Sequence, residues 1–166
     1  MRIEIPVLVL LAITSIAVAS DGMPETGDAV NIEFGIRNAA GVPTREFRQG
    51  ETVRFVFRVH NAGAEALQLA YTFPPHGVAV SKGGNSVWQA WSGRMFAQVI
   101  RTQDLPPGET AEFFIDWNLA SNDGEPIPAG SYEAKAAFNA FLQPGNRRLT
   151  PDLPPLTITV EQGVLE

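Results

Sequence analysis

Apolar and polar residues alternate in six short stretches of this chain. A period of two is typical of β-strands that bury one face in a core and expose the other to water. The apolar positions are Val30, Ile32, Phe34 and Ile36; Val53, Phe55, Phe57 and Val59; Leu67, Leu69, Tyr71 and Phe73; Ala111, Phe113, Ile115, Trp117 and Leu119; Tyr132, Ala134, Ala136 and Phe138; and Leu156, Ile158 and Val160. We predict that the second and third stretches are neighbouring antiparallel strands.

Turn-forming residues separate these stretches. Clusters that contain Gly, Pro, Asn or Asp lie at 49–51, 74–77, 82–85, 106–108 and 122–124. Proline fixes φ at one turn position and glycine accepts a positive φ at the next. About seven to nine short strands with such turns predict an all-β fold, an immunoglobulin-like antiparallel β-sandwich. Tyr132, which follows the turn residues 128–131, fits the tyrosine corner of such sandwiches.

The N-terminal residues have the features of an export signal. Arg2 precedes an apolar run, and Ala17-Val18-Ala19 is a small-x-small cleavage site. We predict a signal peptide over residues 1–19, a flexible segment over 20–29, one sandwich domain over 30–162 and a C-terminal tail over 163–166. The mature protein is then periplasmic or extracellular, without stable membrane insertion after cleavage, because the apolar run is too short and interrupted to span a bilayer.

Composition narrows the choice of partners. Removal of residues 1–19 from the 166-residue chain leaves 147, which suits one domain with a core of its own. The chain has no cysteine, so it uses no disulfide in an oxidising compartment. The net charge of −6 disfavours nucleic acid and anionic lipid, since both are bound by clustered Lys and Arg. We expect neither as a partner.

One ordered set of motifs resembles a known family. The set is Val87-Trp88, Ser92-Gly93, Phe96, Gln98, Leu105-Pro106-Pro107-Gly108-Glu109, Trp117 and Gly130-Ser131-Tyr132. Together these residues resemble the Bacillus intracellular proteinase inhibitor domain, over about residues 53–140. The resemblance implies an immunoglobulin-like all-β domain and serine-proteinase inhibition. The founding inhibitor acts in the cytosol, so an exported relative is expected to meet a different enzyme.

A proline-rich segment near the C-terminus is one candidate for contact with a proteinase. Residues 143–155 contain four prolines, which predict a long exposed loop before the last strand. Arg147 and Arg148 in this loop could enter an acidic specificity pocket of a proteinase. The alternative is that both are solvated loop charges.

The tryptophans form a second candidate surface. Trp117 lies on the inward side of its strand and is predicted to be in the core. Trp88 and Trp91 differ by an odd number of positions, so a regular strand would point them to opposite faces. One interpretation is that an exposed indole beside Arg94, Met95 and Phe96 forms a protein interface or a sugar-stacking platform. The other is that both tryptophans close the sandwich across a bulge.

The sequence indicates no enzyme. His60 falls on an outward strand position and His76 in a Pro-Pro-His-Gly turn, and neither belongs to a nucleophile motif. We expect no catalytic residue, no metal site and no cofactor. The predicted function is an exported non-catalytic binding domain that acts by protein–protein contact, with a serine proteinase as the implied partner. The alternatives are a structural or interaction module of the cell envelope and a carbohydrate-binding sandwich.

Overall fold

The computed structural model of this protein describes residues 30–163, and this part of the chain is built from strands. The strands are β1 (Val30–Arg37), β2 (Glu46–Arg48), β3 (Val53–Asn61), β4 (Leu67–Thr72), β5 (His76–Lys82), β6 (Asn85–Gln89), β7 (Ile100–Leu105), β8 (Thr110–Trp117), β9 (Gly130–Phe138), β10 (Ala140–Gln143), β11 (Arg147–Leu149) and β12 (Leu156–Glu161). Eight of the strands in this part have six or more residues, and β2, β6, β10 and β11 are shorter. Within residues 30–163, no helix is long and apolar enough to cross a membrane.

The ends of the chain fall mainly outside the described residues. The predicted signal peptide (1–19) and flexible segment (20–29) lie there, as do 164–166 of the predicted tail. Gly163 is described, and its amide donates a hydrogen bond to Oε1 of Gln49 at 3.3 Å. The first residue of the predicted tail is therefore held against the domain.

A three-stranded antiparallel sheet forms one layer of the fold. β3 lies at its centre, between β1 and β8. The alternation predicted for β3 is confirmed, because its inward side chains are fully buried and Arg54 and Arg58 point outward. The inward residues are Val53, Phe55, Phe57 and Val59.

The other two sheets form a second layer with a bend across its middle. Their strand orders are β11-β10-β4-β7 and β2-β12-β9-β5-β6. Only Asn139 separates β9 from β10, and only residues 73–75 separate β4 from β5. The amide of Asn139 donates to the carbonyl oxygen of Pro75 at 2.7 Å, so hydrogen bonding continues through the junction. Two long bent strands therefore join the two sheets.

Aromatic side chains fill the space between the layers. The Phe55 ring stacks on Trp88 and Trp117, with centroids 6.1 and 6.2 Å away, and Phe57 contacts Phe138 at 6.1 Å. Trp117 is buried as predicted. The hydroxyl of Tyr132 donates to the carbonyl oxygen of Pro128, which is the contact that a tyrosine corner requires. The fold is an all-β, immunoglobulin-like sandwich, as the sequence predicted.

The predicted pairing of β3 with β4 is wrong. β4 pairs with β7 and β10 in the bent layer, whereas β3 belongs to the other layer. The side chain of Asn61 marks the crossing between layers, since its buried amide donates to the carbonyl oxygens of Glu65 (2.8 Å) and Leu105 (2.9 Å). Alternation reports which face of a strand is buried and not which strand lies beside it, so both arrangements fit the pattern.

The predicted long loop over 143–155 is also wrong in its first half. β10 and β11 form a hairpin in which Ala140 pairs with Leu149. Gly145 and Asn146 turn the chain with positive φ values of 99° and 50°. Leu149 is buried, so a strand of three residues is sufficient when it extends an existing sheet and covers part of its core.

Candidate functional site

The edge of the bent layer is interrupted between β6 and β7. β6 pairs with β5, β7 pairs with β4, and the amide of Ala90 still bonds to the carbonyl oxygen of Val78. Pairing resumes only where Ile100 meets Thr72. Residues 91–99 therefore form a loop that leaves the edge of the sheet opposite residues 73–77. We call this segment the edge loop.

Two residues with positive φ start the edge loop. Trp91 has φ 67° and Gly93 has φ 69°. The amide of Ser92 bonds to the carbonyl oxygen of Gln89 at 3.3 Å, and that of Arg94 bonds to the carbonyl oxygen of Trp91 at 3.0 Å. A left-handed conformation is unfavourable for a bulky residue such as tryptophan, so other contacts of Trp91 must hold it there.

Aromatic packing provides those contacts. The indole nitrogen of Trp91 donates to the carbonyl oxygen of His76 at 2.8 Å. The Phe96 ring meets Trp91 edge-on at 5.5 Å and Phe73 at 5.5 Å, and the Arg101 guanidinium lies 5.0 Å from the centre of Phe73. We call Phe73, Trp91 and Phe96 the aromatic anchor, because together they attach both halves of the edge loop to the sandwich.

His76 supports the aromatic anchor from below, and its predicted place in a turn is wrong. It is the first residue of β5, and its buried ring contacts Phe57, Phe113 and Trp91. Nε2 lies 3.4 Å from the carbonyl oxygen of Phe114, and Nδ1 is buried with no hydrogen-bond partner among the described residues. Burial lowers the pKa of His76, and the hydrogen bond to Phe114 opposes this shift.

The edge loop presents large apolar side chains to water. Met95 is 98% exposed, Val99 is 59% exposed, and Ile100 at the start of β7 is 72% exposed. Within the described part of the chain, the backbone groups of Met95 and Phe96 take part in no hydrogen bond. The loop therefore combines an apolar tip, a main chain free to pair and a fixed base.

Both tryptophans of the candidate surface close the sandwich, which is the second of the two sequence interpretations. Trp88 is half-buried and stacks on Phe55 and Trp117, and Trp91 packs as described above. The register shift between Val80 and Ser81 in the pairing of β5 with β6 lies before Trp88, so it is not the bulge expected between the two tryptophans. The chain instead turns at Trp91, which has φ 67°.

The structure brings four of the six predicted contact residues together. Trp88, Trp91 and Arg94 line one open groove of about 450 Å³ beside β8, and Phe96 belongs to the aromatic anchor. Arg147 and Arg148 are exposed on β11, at the opposite edge of the four-stranded sheet from β7. The sequence reasoning named Met95 only as a neighbour of the exposed indole and did not name Val99 or Ile100, although these three are the most exposed large apolar residues of this region.

Two polar residues of the groove, Asn122 and Asp116, already have partners. The side chain of Asn122 accepts from the amide of Gln89 at 2.8 Å and donates to its carbonyl oxygen at 2.9 Å, so it covers the end of β6. Asp116 receives two hydrogen bonds from Arg54, and these bonds lower the pKa of Asp116. Within residues 30–163, no group of three or more His, Asp or Glu residues could hold a metal ion. The groove is therefore a poorer binding site than the loop above it.

The comparison with known families decides the assignment of the chain. The model of the BsuPI family, described as intracellular proteinase inhibitor, matches residues 41–141, which is more than half of the chain and includes the whole edge loop. This chain belongs to the BsuPI family. No curated protein matches it.

Several solved structures are similar to this BsuPI-family chain at low sequence identity and with TM-scores below 0.5. The ApaA protein from Bordetella pertussis is 15% identical, with a TM-score of 0.48, over 79% of this chain and 93% of that one. The C-terminal domain of wzt is 13% identical, with a TM-score of 0.45, over 82% and 75% of the two chains. The CARDB domain of the PF1109 protein from Pyrococcus furiosus, in complex with di-metal ions, is 14% identical, with a TM-score of 0.36, over 81% and 90%.

Proposed function

We propose that this BsuPI-family domain is an exported, non-catalytic inhibitor that binds a serine proteinase through its edge loop. The family match supports the proposal: the family is described as intracellular proteinase inhibitor, and the matched residues 41–141 include the edge loop. The loop supplies what a substrate-like inhibitor needs, which is a fixed segment that can occupy the cleft of a proteinase.

The single observation that carries the proposal is the exposure of Met95 on an anchored loop. Its side chain is 98% exposed, although an apolar side chain of this size gains about 1.5–3 kcal/mol on burial. The aromatic anchor restricts the loop before any partner binds, which reduces the entropy lost on binding. A fixed apolar tip therefore favours a partner with a preformed apolar pocket.

The free main chain of the edge loop supports the same mode of binding. Proteinases bind an extended segment by pairing with its backbone, as in the addition of a strand to a sheet edge. Met95 and Phe96 have backbone groups without partners among residues 30–163, and the loop continues into β7, which is itself an edge strand. In the three-stranded sheet, the central strand β3 lacks such groups, because it pairs with β1 on one side and β8 on the other.

Inhibition is tested by titration of the mature chain, from Ser20 to Glu166, against subtilisin, chymotrypsin and trypsin. The proposal predicts a stoichiometric loss of activity for at least one of these enzymes, with a plateau at one inhibitor per enzyme. A matched control is the double variant Arg147→Ala/Arg148→Ala, which alters the opposite sheet edge and is expected to inhibit equally well. Full activity of all three enzymes at a large excess of the protein would refute the inhibitor function.

Export is tested separately from inhibition. The full chain is expressed in a bacterial host and the mature protein is isolated from the periplasm and the medium. Cleavage after Ala19 predicts an N-terminus at Ser20 in one of these fractions. Uncleaved protein confined to the cytosol would contradict the export part of the proposal and leave inhibition open to its own test.

The carbohydrate alternative has weaker support. A sugar-stacking platform needs an aromatic face that is free to bind, whereas Trp88 stacks on Phe55 and Trp117 and Trp91 belongs to the aromatic anchor. An interaction module of the cell envelope would use the same exposed loop with a non-enzyme partner. The titration distinguishes these cases, because only the inhibitor reduces proteinase activity.

A further inference from the structure

We infer that Met95 is the residue that enters the primary specificity pocket of the target, and that the target is a serine endopeptidase with a deep apolar pocket. The inference rests on the proposed inhibitor function and goes further, because it names the contact residue and the class of enzyme. It is argued from the exposure of Met95, the restraint of its neighbours and the state of its backbone.

Exposure separates Met95 from every other large apolar residue of the described chain. At 98% exposed it stands well above Ile100, the next of the large apolar residues at 72%. Phe96, its direct neighbour, is only half-buried and faces the opposite way, with its ring against Phe73 and Trp91. Met95 is thus the most exposed of the large apolar side chains of the loop.

The residues on both sides of Met95 are restrained. On the N-terminal side, the amide of Arg94 is bonded to the carbonyl oxygen of Trp91. On the C-terminal side, the Phe96 ring is part of the aromatic anchor. The backbone of Met95 is held between these two points while its side chain is free, which is the arrangement that lets a residue enter a pocket at low entropic cost.

Backbone hydrogen bonding distinguishes Met95 from the arginines. The pocket-filling residue of a substrate-like inhibitor donates its amide to the enzyme and places its carbonyl oxygen in the oxyanion hole. Both groups of Met95 are free within the described chain, whereas the Arg94 amide is already used in the turn. Arg147 and Arg148 lie on a strand paired with β10, so they are unsuited to this role.

The chemistry of methionine defines the pocket. Its unbranched, flexible thioether chain fills a deep apolar pocket well. A pocket with a buried carboxylate, which selects Arg or Lys, would leave that charge unpaired beside Met95 at a large energetic cost. We therefore expect strong inhibition of enzymes such as subtilisin or chymotrypsin and weak inhibition of trypsin.

Two substitutions of Met95 test the inference. Met95→Asp places a charge in an apolar pocket and is expected to raise the inhibition constant for subtilisin or chymotrypsin by at least about 30-fold, which is the size of an interface hot spot. Met95→Arg is expected to give a comparable loss for those enzymes together with a gain for trypsin. The matched control is Val42→Arg, which puts the same charge on another apolar residue, 54% exposed and outside the loop.

The outcomes separate the inference from the function on which it rests. The assignment is supported if the wild type inhibits and Met95→Asp reduces that inhibition. It also requires that Met95→Arg redirects inhibition to trypsin and that Val42→Arg leaves it unchanged. Equal inhibition by the wild type and both Met95 variants would refute the assignment and leave the inhibitor function intact. No inhibition by the wild type would overturn both. Thermal unfolding of each variant checks that the fold is preserved, as expected for a side chain in water.

Discussion

The outer face of the three-stranded sheet and the tip of the edge loop at Met95 are both exposed, but only the face has its side chains paired with other described residues. On the face, Arg54 forms two hydrogen bonds with Asp116, and Arg58 contacts Glu112 at 3.1 Å. Even its large exposed apolar residue, Phe114, lies beneath the guanidinium of Arg54 at 4.8 Å. In the edge loop, Met95 has no such cover.

This difference indicates where binding energy is available. Groups that are paired within the protein must lose those contacts or keep them unchanged when a partner arrives, so they add little affinity. An apolar side chain in water and unpaired backbone groups gain their full contacts only on binding. Exposure alone therefore does not identify the functional surface of this BsuPI-family domain. Exposed groups that also lack a partner within the described chain identify it.

The largest change is expected for Trp91→Ala. It removes the ring that fixes Phe96 and the hydrogen bond to His76, so the edge loop loses its restraint. Inhibition is expected to weaken by at least about 30-fold, and the free energy of unfolding to fall by about 2–3 kcal/mol for a half-buried aromatic residue. Titration and urea unfolding measure the two effects. Unchanged inhibition in a folded variant would show that the aromatic anchor does not prepare the loop.

Acid is expected to destabilise the protein through His76. Because burial lowers its pKa from the usual 6.5, the unfolded chain binds a proton more readily than the folded one. The contribution of neutral His76 to the free energy of unfolding is then fully present above about pH 6.5. Below that pH the free energy of unfolding falls, by at most about 1.4 kcal/mol per pH unit for one proton.

The variant His76→Phe isolates this effect. It keeps an aromatic ring against Phe57 and Phe113 but cannot take up a proton, so unfolding in urea between pH 7 and pH 5 is expected to show a smaller loss of stability than in the wild type. His60→Gln is the control, because His60 lies on the exposed side of β3 with Nδ1 bonded to Thr110. Equal pH dependence in His76→Phe and the wild type would contradict the assignment to His76.

A smaller effect is expected on the outer face. Asp116→Asn weakens the pair with Arg54, which is exposed, so the free energy of unfolding is expected to change by no more than about 1 kcal/mol. The hydrogen bonds from Arg54 lower the pKa of Asp116 below its usual 3.8. The pair therefore stabilises the fold above pH 3.8, and this stabilisation is lost as the pH falls through the lowered pKa of Asp116. Inhibition constants should not change. A weakened inhibitor would place this face in the interface.

The smallest effect is expected for Arg147→Ala/Arg148→Ala. These residues lie on β11, at the far edge of the sheet from β7, so the inhibition constant should change by less than about twofold. A large loss of trypsin inhibition in this variant would restore the sequence-based hypothesis that these arginines enter an acidic pocket.

The alternation of apolar and polar residues predicted correctly which face of each long strand points to the core. It could not predict short or edge strands, because these are stabilised by the strands beside them. β1, β3, β8, β9 and β12 turn the expected residues towards the core. These residues are buried, except for four that are partly buried against the core: Ile32, Phe34, Phe113 and Ala136. The β10–β11 hairpin was missed because its strands are short and are stabilised by the sheet that they extend. β7 was missed because most of its side chains are exposed, as an edge strand allows.

The candidate site was only partly predictable. The family motifs pointed to the region of Trp88 to Gln98, and the structure builds the edge loop there. The exposure of Met95 could not be predicted, because the direction of a loop side chain depends on turns at Trp91 and Gly93 rather than on a period. A usable signal was present, since Met95, Val99 and Ile100 are apolar residues in a segment without alternation, which fits neither a strand face nor a polar loop.

The most direct test of the edge loop as the binding surface uses the methyl groups of methionine. The chain has three methionines, and removal of residues 1–19 leaves Met23 and Met95, so a mature protein labelled at the methionine methyl carbon gives two signals. Subtilisin with its nucleophilic serine replaced by alanine is added to one equivalent. The account predicts that the Met95 signal, assigned with Met95→Leu, shifts or broadens while that of Met23 stays in place. A Met95 signal that is unchanged when the two proteins are shown to be bound would contradict it.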